Sequence, residues 1–354
     1  MNTKQSISVA CVAAGLISAN SLQAGSNVSW TGGGADHNWL NAANWSSNPN
    51  LPVTGLGTTG DILYMDTAGA SDYAIFSAAE GSLTYQSVRV GYNADGRLDV
   101  TGGSLIGDGS TQTRVGRGGH TGTLNVAGGT FQAGGIAQIG IDAGSVGIVN
   151  VSSGVFNVTR GATQDGITNT SIALGAGNTG QGTLNLNGGN VYTRFGVEVG
   201  QSSLAGSGTF NVGDGSAVIG GANGNTSSSG FWYQRGNGTL GATIDSAGFT
   251  LGSISIYNAG SAYVKFDAGS TLSLGFSGAA PSSIMSWDLM TWDSSTTVTD
   301  NGLTLASGDT AAGWSFAIGP NSLVVTFTPV PEPAAMELLG LGLLAFARRA
   351  RRIV

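Results

Sequence analysis

The chain has 354 residues, of which 61 are glycine and only 9% are charged. Between residues 25 and 330, eighteen acidic residues outnumber eight basic ones, for a net charge of −10, so nucleic acids and anionic membrane surfaces are poor partners. The length allows one long domain or two ordinary ones. Aliphatic residues recur at regular intervals, a pattern that disordered chains lack, so we expect a folded protein.

The N-terminus has the layout of a secretory signal peptide. A lysine precedes an apolar run over residues 7–19, and small residues follow up to Ala24. This predicts export through the Sec machinery, with residues 1–24 as the signal peptide and cleavage after Ser21 or Ala24. The only cysteine, Cys11, lies inside this segment, so the mature protein is expected to have no disulfide.

Three spaced tryptophans, Trp30, Trp39 and Trp45, mark the next segment, residues 25–80. We interpret this segment as an N-terminal β cap, because a stack of strands needs its open edge covered. Exposed tryptophans that bind sugar are the alternative. With the Gly-Asp pair at 60–61 and the glycine-rich repeats beyond it, the segment resembles the opening of bacterial autotransporter-associated β-strand-repeat passengers.

Residues 81–223 contain an internal repeat with two phrases. One reads Gly-x-apolar-x-apolar, and the other is usually apolar-x-apolar-Gly, with 25, 24, 35 and 25 residues between its closing glycines. The long interval holds an insertion around residues 159–169, and a fixed period with one insertion is typical of repeat architectures. The first phrase begins at Gly96, Gly122, Gly147, Gly182 and Gly208, and the second ends at Gly91, Gly116, Gly140, Gly175 and Gly200.

Within each unit the apolar residues alternate, which is the period of a strand with one buried face. A unit of about 25 residues is too small for a propeller blade of ~40–45 residues. We therefore predict an all-β fold in which residues 81–223 form a right-handed parallel β-helix, or solenoid, of ~25-residue rungs. An elongated Greek-key stack or a two-sheet sandwich stays open. Equivalent positions should form one internal column: Val90, Val115, Ile139, Leu174 and Val199.

Beyond residue 224 the repeat decays, and residues 224–329 are interpreted as irregular rungs followed by a β-rich C-terminal cap. Alternating apolar residues resume in several short stretches, which favours strands. The last of them form a hairpin candidate, with one strand over residues 314–318 and the other over 323–327.

Motifs for nucleotide or metal binding are weak. Residues 175–180 fit the dinucleotide fingerprint, but a strand of the repeat follows instead of a helix, so we predict no nucleotide or other cofactor. His37 and His120 lie far apart, and neither has a second ligand at zinc spacing. A generic calcium site formed by acids on adjacent rungs stays open; the acids are Asp95, Asp99, Asp108 and Asp142.

Three arginines are candidates for a binding surface. Arg89 and Arg114 occupy equivalent positions one repeat apart, and Arg97 lies near them. They could bind an anionic glycan, or they could be solvent-side residues that protect a flat sheet from aggregation, which we favour. No acid–base pair stands out, so we predict that the protein is not an enzyme. A β-helix that binds or cleaves polysaccharide is the alternative.

The last residues combine a rigid tripeptide, Pro331-Glu332-Pro333, with an apolar run over 334–347 and a basic cluster. The prolines hold the backbone extended, and the run, apolar apart from Glu337, is expected to form a hydrophobic helix. Fourteen residues span only about 21 Å of a ~30 Å hydrocarbon core, which suits a temporary anchor. The arginines expected to stop the helix at the cytoplasmic face are Arg348, Arg349, Arg351 and Arg352.

This tail, residues 330–354, resembles the PEP-CTERM sorting signal of Gram-negative bacteria. The resemblance implies processing by exosortase, a membrane enzyme; an amphipathic or packed helix is the alternative. We therefore expect an exported, non-catalytic protein with a structural or adhesive role. It would be anchored briefly in the inner membrane and would end at the cell surface or in the extracellular matrix. Extracellular polysaccharide is a candidate partner there.

Overall fold

The computed structural model describes residues 25–330, apart from 68–71, 165–166, 176, 178, 201–205 and 222–228. The predicted signal peptide, the sorting tripeptide and the predicted hydrophobic helix over 334–347 lie outside the described residues. In the described part of the chain, no helix is both long and apolar enough to span a membrane. Almost all regular structure there is β, as the alternating apolar pattern predicts.

The described residues form twenty-eight strands and two 3₁₀ turns, Ala42–Asn44 and Ala78–Glu80. The strands are β1 (Asn27–Ser29), β2 (Ile62–Met65), β3 (Ala74–Phe76), β4 (Ser82–Tyr85), β5 (Ser87–Val90), β6 (Gly96–Gly107), β7 (Thr113–Val115), β8 (Thr121–Ala133), β9 (Ala137–Ile139), β10 (Val146–Val151), β11 (Val155–Val158), β12 (Ala162–Gln164), β13 (Ile167–Leu174), β14 (Gln181–Leu186), β15 (Asn190–Thr193), β16 (Gly196–Val199), β17 (Ser207–Val212), β18 (Ser216–Ile219), β19 (Phe231–Gln234), β20 (Gly238–Ile244), β21 (Ser253–Ile256), β22 (Tyr263–Phe266), β23 (Thr271–Phe276), β24 (Met285–Trp292), β25 (Thr297–Asp300), β26 (Thr304–Leu305), β27 (Trp314–Ile318) and β28 (Ser322–Phe327).

The strands belong to two sheets. Sheet 1 runs in the order β1-β2-β5-β7-β9-β13-β16-β19-β22-β25, with every neighbouring pair parallel. Sheet 2 contains two long ladders of parallel strands and forms a nearly closed, barrel-like sheet. Its ladders are joined because β6 and β8 each run through both of them. Each repeat therefore contributes one strand to sheet 1 and takes part in both ladders of sheet 2.

The register stacks equivalent repeat positions directly on one another. The predicted column is confirmed, since Val90 pairs with Val115, Val115 with Ile139, Ile139 with Leu174 and Leu174 with Val199. All five side chains are buried. A second column in sheet 2 joins the first phrase of each repeat; its members are Leu98, Leu124, Val149, Leu184 and Phe210.

These columns supply stabilisation to a mature chain that is expected to have no disulfide. Burying one aliphatic side chain fully contributes about 1.5–3 kcal/mol, and the columns form one continuous core along the stack. Aromatic side chains join it where the repeat carries phenylalanine: the rings of Phe131 and Phe156, on neighbouring rungs, have centroids 5.8 Å apart.

The second phrase closes with glycine because the backbone conformation and the close packing at this position leave no room for a side chain. Gly116 has a φ of +73°, in the left-handed region, and a Cβ at this position would lie 2.1 Å from the carbonyl oxygen of Val146 on the next rung. Gly91, Gly140, Gly175 and Gly200 also have positive φ. Any side chain would be strained there and would push neighbouring rungs apart.

The described part of the insertion predicted around residues 159–169 packs on sheet 1. Its strand β12 pairs antiparallel with β13, through Ala162 and Thr170. Ala162 packs on a small outer cluster of Ile136, Ile141 and Ala173, separate from the main core. The long repeat interval therefore adds local cover without breaking the stack.

Aromatic residues fill both ends of the stack. Trp30, Trp39 and Trp45 are each at most 2% exposed, and the Trp45 ring makes edge contacts with the other two. They are core residues, so the alternative of an exposed sugar-binding row is wrong for these three. At the other end the predicted hairpin is confirmed as β27 and β28, which also pairs with β24 and buries Trp314 against Phe327.

Candidate functional site

The outer face of sheet 1 carries a row of polar and aromatic side chains. Because side chains alternate along a strand, Val88 and Val90 enter the core and Arg89 between them points outward. The register then aligns Tyr64, Arg89, Arg114 and Gln138 on four successive strands. The equivalent alignment of Arg89 and Arg114 predicted from the repeat is thereby confirmed.

Two further residues from the turns complete a compact group, the arginine–tyrosine cluster: Tyr64, Arg89, Tyr92, Arg114 and Arg117. The Arg89 guanidinium carbon lies 5.1 Å from the ring centroid of Tyr64 and 4.5 Å from that of Tyr92. Arg117 lies 4.4 Å and Arg114 5.7 Å from the Tyr92 centroid. Three cations therefore converge on one aromatic ring, each at a distance that favours cation–π attraction.

Hydrogen bonds fix the three arginines. Arg89 donates from Nη1 to the Tyr64 hydroxyl at 2.6 Å. Arg114 donates from Nε to Gln138 Oε1 at 3.0 Å and from Nη1 to the Tyr92 hydroxyl at 3.3 Å, and it also donates to Gln112. These acceptors are all neutral, so they orient the guanidinium groups without cancelling their charge.

Arg117 differs from the other two because it has an acidic partner. Its Nε donates to a carboxylate oxygen of Asp142 at 3.0 Å, and its Nη1 donates to the Tyr92 hydroxyl. The Arg117 side chain is 34% exposed and that of Asp142 48%. A pair this exposed contributes little to stability, so solvent can compete for Arg117.

Burial and mutual repulsion act on the arginines in the same direction. Burial lowers the pKa of Arg89, and the nearby Arg117 lowers it further, against the opposing effect of Tyr64. Burial also lowers the pKa of Arg114, with Arg89 adding to the shift. Guanidinium stays charged in proteins despite such shifts, so the cluster is a concentrated positive site whose charges repel one another.

Two further acids, in neighbouring turns, are engaged by the backbone. The Asp66 carboxylate accepts hydrogen bonds from the backbone N–H groups of Tyr92 and Asn93, at 2.6 and 3.1 Å. Burial raises the pKa of this carboxyl. Asp95 accepts from the backbone N–H of Thr121 at 2.7 Å. These acids hold the turns beside the cluster.

Arg97 does not belong to this surface, which corrects the grouping of the three arginines. It lies in β6 of sheet 2, where it binds Asp99 through two hydrogen bonds of 2.8 and 2.6 Å. The sequence placed Arg97 near Arg89, but a turn between β5 and β6 moves the chain from one sheet to the other.

The Arg97–Asp99 pair opens a ladder of asparagines that we did not predict from the sequence. The residue between the two apolar positions of the first phrase stacks in register, and each side-chain amide donates to the residue one rung before it. The bonds join Asn125 to Asp99, Asn150 to Asn125, Asn185 to Asn150 and Asn211 to Asn185, at 2.6–2.8 Å. The recurring asparagine between two apolar residues was the available signal.

A second polar group follows further along sheet 1. Glu198 and Arg235 form a buried ion pair with 2.8 Å between oxygen and nitrogen. The Arg235 guanidinium also lies 4.2 Å from the Tyr233 ring centroid, and the Tyr233 hydroxyl donates to Asp267 at 2.7 Å. Glu198 occupies the middle of the last regular copy of the second phrase, but its partner Arg235 lies beyond the regular repeat, so the repeat alignment could not predict their contact.

The remaining sequence candidates lie at several places in the described part of the chain. The ring of His37 stacks on Tyr73, and His120 lies 3.9 Å from Asp95. Residues 175–180 lead into strand β14, which is the context expected of a repeat turn. Among the described residues, no three His, Cys, Asp or Glu side chains are grouped to hold a metal ion.

Comparison with known proteins identifies the C-terminal segment. Residues 329–352 match the family model described as the PEP-CTERM protein-sorting motif. The matched stretch includes Pro331, Glu332 and Pro333 and the four closing arginines. All of these residues lie beyond position 330, where the described part of the chain ends. Searches of curated proteins and of solved structures found no match. The motif implies an exported protein that is sorted through exosortase and transits the membrane before release.

Proposed function

We propose that the protein is a non-catalytic component of the cell surface or extracellular matrix, with a structural or adhesive role. The observation that carries this proposal is the sorting motif at residues 329–352, which follows a long stack of parallel strands. Such a stack provides length and a polar outer surface. The inner membrane is the temporary site in this account, and the surface or matrix is the final one.

The finer architecture is part of the proposal. We infer that the stack is a right-handed parallel β-solenoid, with capping segments at both ends. The parallel, in-register pairing of successive repeats supports the solenoid. Its hand follows from the strong preference for right-handed connections between parallel strands of one sheet.

The delivery route joins three segments of the sequence. The signal peptide over residues 1–24 directs the chain to the Sec machinery, and the apolar run over 334–347 holds it in the inner membrane. Exosortase then acts at Pro331-Glu332-Pro333, while the basic residues at 348–352 keep the end of the tail cytoplasmic. The short apolar run makes this anchor weak enough to be temporary.

The delivery proposal is tested by removing residues 331–354 in the exporting cell. We expect the truncated chain to lose its membrane-associated stage and its delivery to the surface, as measured by fractionation and by surface protease accessibility. Replacing Pro331 and Pro333 with alanine should block processing and leave the chain in the membrane.

Glu337→Ala is the matched control, because it lies in the same tail and leaves the tripeptide intact. It should be processed like the wild type, since removing an acid from the apolar run favours membrane insertion. Normal maturation of the truncated chain would contradict the sorting role.

A further inference from the structure

The arginine–tyrosine cluster concentrates positive charge in an acidic protein. Only eight basic residues lie between residues 25 and 330, against eighteen acidic ones. Three of the eight, Arg89, Arg114 and Arg117, surround a single tyrosine ring. Dispersed charges would suffice to keep the sheet soluble, so this concentration needs another explanation.

The arrangement places like charges side by side on neighbouring strands. Arg89 and Arg114 are direct neighbours on parallel strands, and like charges placed opposite one another destabilise a sheet. Both donate to neutral oxygens from Tyr64, Tyr92 and glutamines. Among the described residues, Asp142 hydrogen-bonds Arg117, while Asp66 and Asp142 act on Arg89 and Arg114 only through their charge.

The guanidinium groups are already oriented for a ligand. The Tyr92 hydroxyl accepts from both Arg114 and Arg117, and the Tyr64 hydroxyl accepts from Arg89. Groups that are held in place before binding lose less conformational entropy when a ligand arrives. All three arginines remain partly exposed on the outer face of sheet 1.

The geometry points to this cluster as a binding site for the carboxylate groups of an acidic polysaccharide. The planar guanidinium fork matches a carboxylate in geometry and charge. The cluster lies on the outer face of a long sheet, where a polymer can continue past it in either direction. The ligand class rests on the export part of the proposed function, because it requires a protein that meets extracellular polymers, and it rests on the match between guanidinium and carboxylate groups.

Titration calorimetry of the purified full chain, kept in mild detergent at low salt, tests the site. The probe is a set of alginate oligomers, which carry one carboxylate per sugar, and neutral dextran oligomers of the same length are the control. We expect alginate to bind, dextran not to bind, and the alginate affinity to fall as salt rises. Arg117→Gln and Arg89→Gln should each weaken alginate binding about tenfold, as expected for a lost charged hydrogen bond.

Arg194→Gln is the matched variant, because Arg194 is an exposed arginine outside the cluster. It makes the same change in charge and should bind alginate like the wild type. Arg117→Gln is expected to fold normally, since its ion pair is exposed, and circular dichroism verifies this. Unchanged binding by Arg117→Gln, equal loss in Arg194→Gln, or tighter binding of dextran sulfate than of alginate would overturn the site.

The test separates this inference from the proposed function. Absence of alginate binding would overturn the site and leave the structural role unaffected. Release of new reducing or unsaturated sugar ends during the titration would instead overturn the non-catalytic role, while binding itself would stand.

Discussion

Replacing Gly116 with alanine tests whether neighbouring rungs stack as closely as the structure describes. Gly116 closes the second phrase of its repeat and has a φ of +73°. An alanine Cβ would lie 2.1 Å from the carbonyl oxygen of Val146 and 2.7 Å from the backbone nitrogen of Gly147, both on the next rung. Since these contacts are with backbone atoms, no side-chain rotation relieves them.

Two effects add at this position. Placing alanine in the left-handed region costs roughly 1–2 kcal/mol, and forcing an extra carbon into a packed region costs typically about 1–3 kcal/mol. Gly118, in the same turn, has a φ of +63°, but its nearest Cβ contact would be 3.7 Å away. We therefore expect Gly116→Ala to lower the free energy of unfolding by about 2–5 kcal/mol, and Gly118→Ala by only about 1–2 kcal/mol.

Urea denaturation followed by circular dichroism measures both variants against the wild type. The comparison holds when the dependence on urea concentration stays the same, because a changed slope signals a loss of two-state behaviour. Both variants carry the backbone strain of alanine in the left-handed region. The difference between their free energies of unfolding therefore measures the contact between rungs. Equal destabilisation of the two variants would refute the close stacking at Gly116.

Further predictions concern the asparagine ladder, one buried tyrosine and the buried ion pair. Asn150→Ala removes two ladder bonds and should lower the free energy of unfolding by about 1–3 kcal/mol, whereas Asn211→Ala removes one and should cost about half as much; equal costs in urea denaturation would argue against the ladder. Burial raises the pKa of Tyr85 to about 12, so its contribution to the free energy of unfolding is complete below pH 10. About 2–3 kcal/mol of that free energy should be lost as the pH rises through 12. Tyr85→Phe should reduce the dependence of the free energy of unfolding on pH, measured between pH 9 and 12. Glu198→Ala leaves the buried Arg235 without its carboxylate and should cost about 3–5 kcal/mol in urea denaturation; replacing Arg235 with methionine as well should recover part of this loss, and no recovery would argue against the pair.

The repeat made the middle of the fold predictable from sequence. Val90 and Val115 share a position in consecutive copies of the same phrase, so their stacking follows once the strands are parallel. Later rungs keep the stacking without the phrase: in the strand register Val199 pairs with Gln234, and Gln234 pairs with Phe266. There the column continues through residues of different chemistry, which periodicity in the sequence cannot reveal.

The candidate site was predictable only where it lies on strands. Arg89 and Arg114 were aligned correctly because both occupy the middle of the second phrase. Arg117 and Tyr92 lie in the turns after the closing glycines, and their distance from the strand residues depends on the path of the turn. Arg97 was placed wrongly for the same reason, since its turn leads to the other sheet.

The central claim is that the chain is exported and processed at its C-terminal motif, and the termini of the mature protein test it most directly. Intact-mass and peptide mass spectrometry of protein recovered from the cell surface or the medium gives both ends. We predict a chain that begins after Ser21 or Ala24 and lacks the arginine cluster at 348–352. Recovery of the whole chain, from Met1 to Val354, in the cytoplasm would contradict the account.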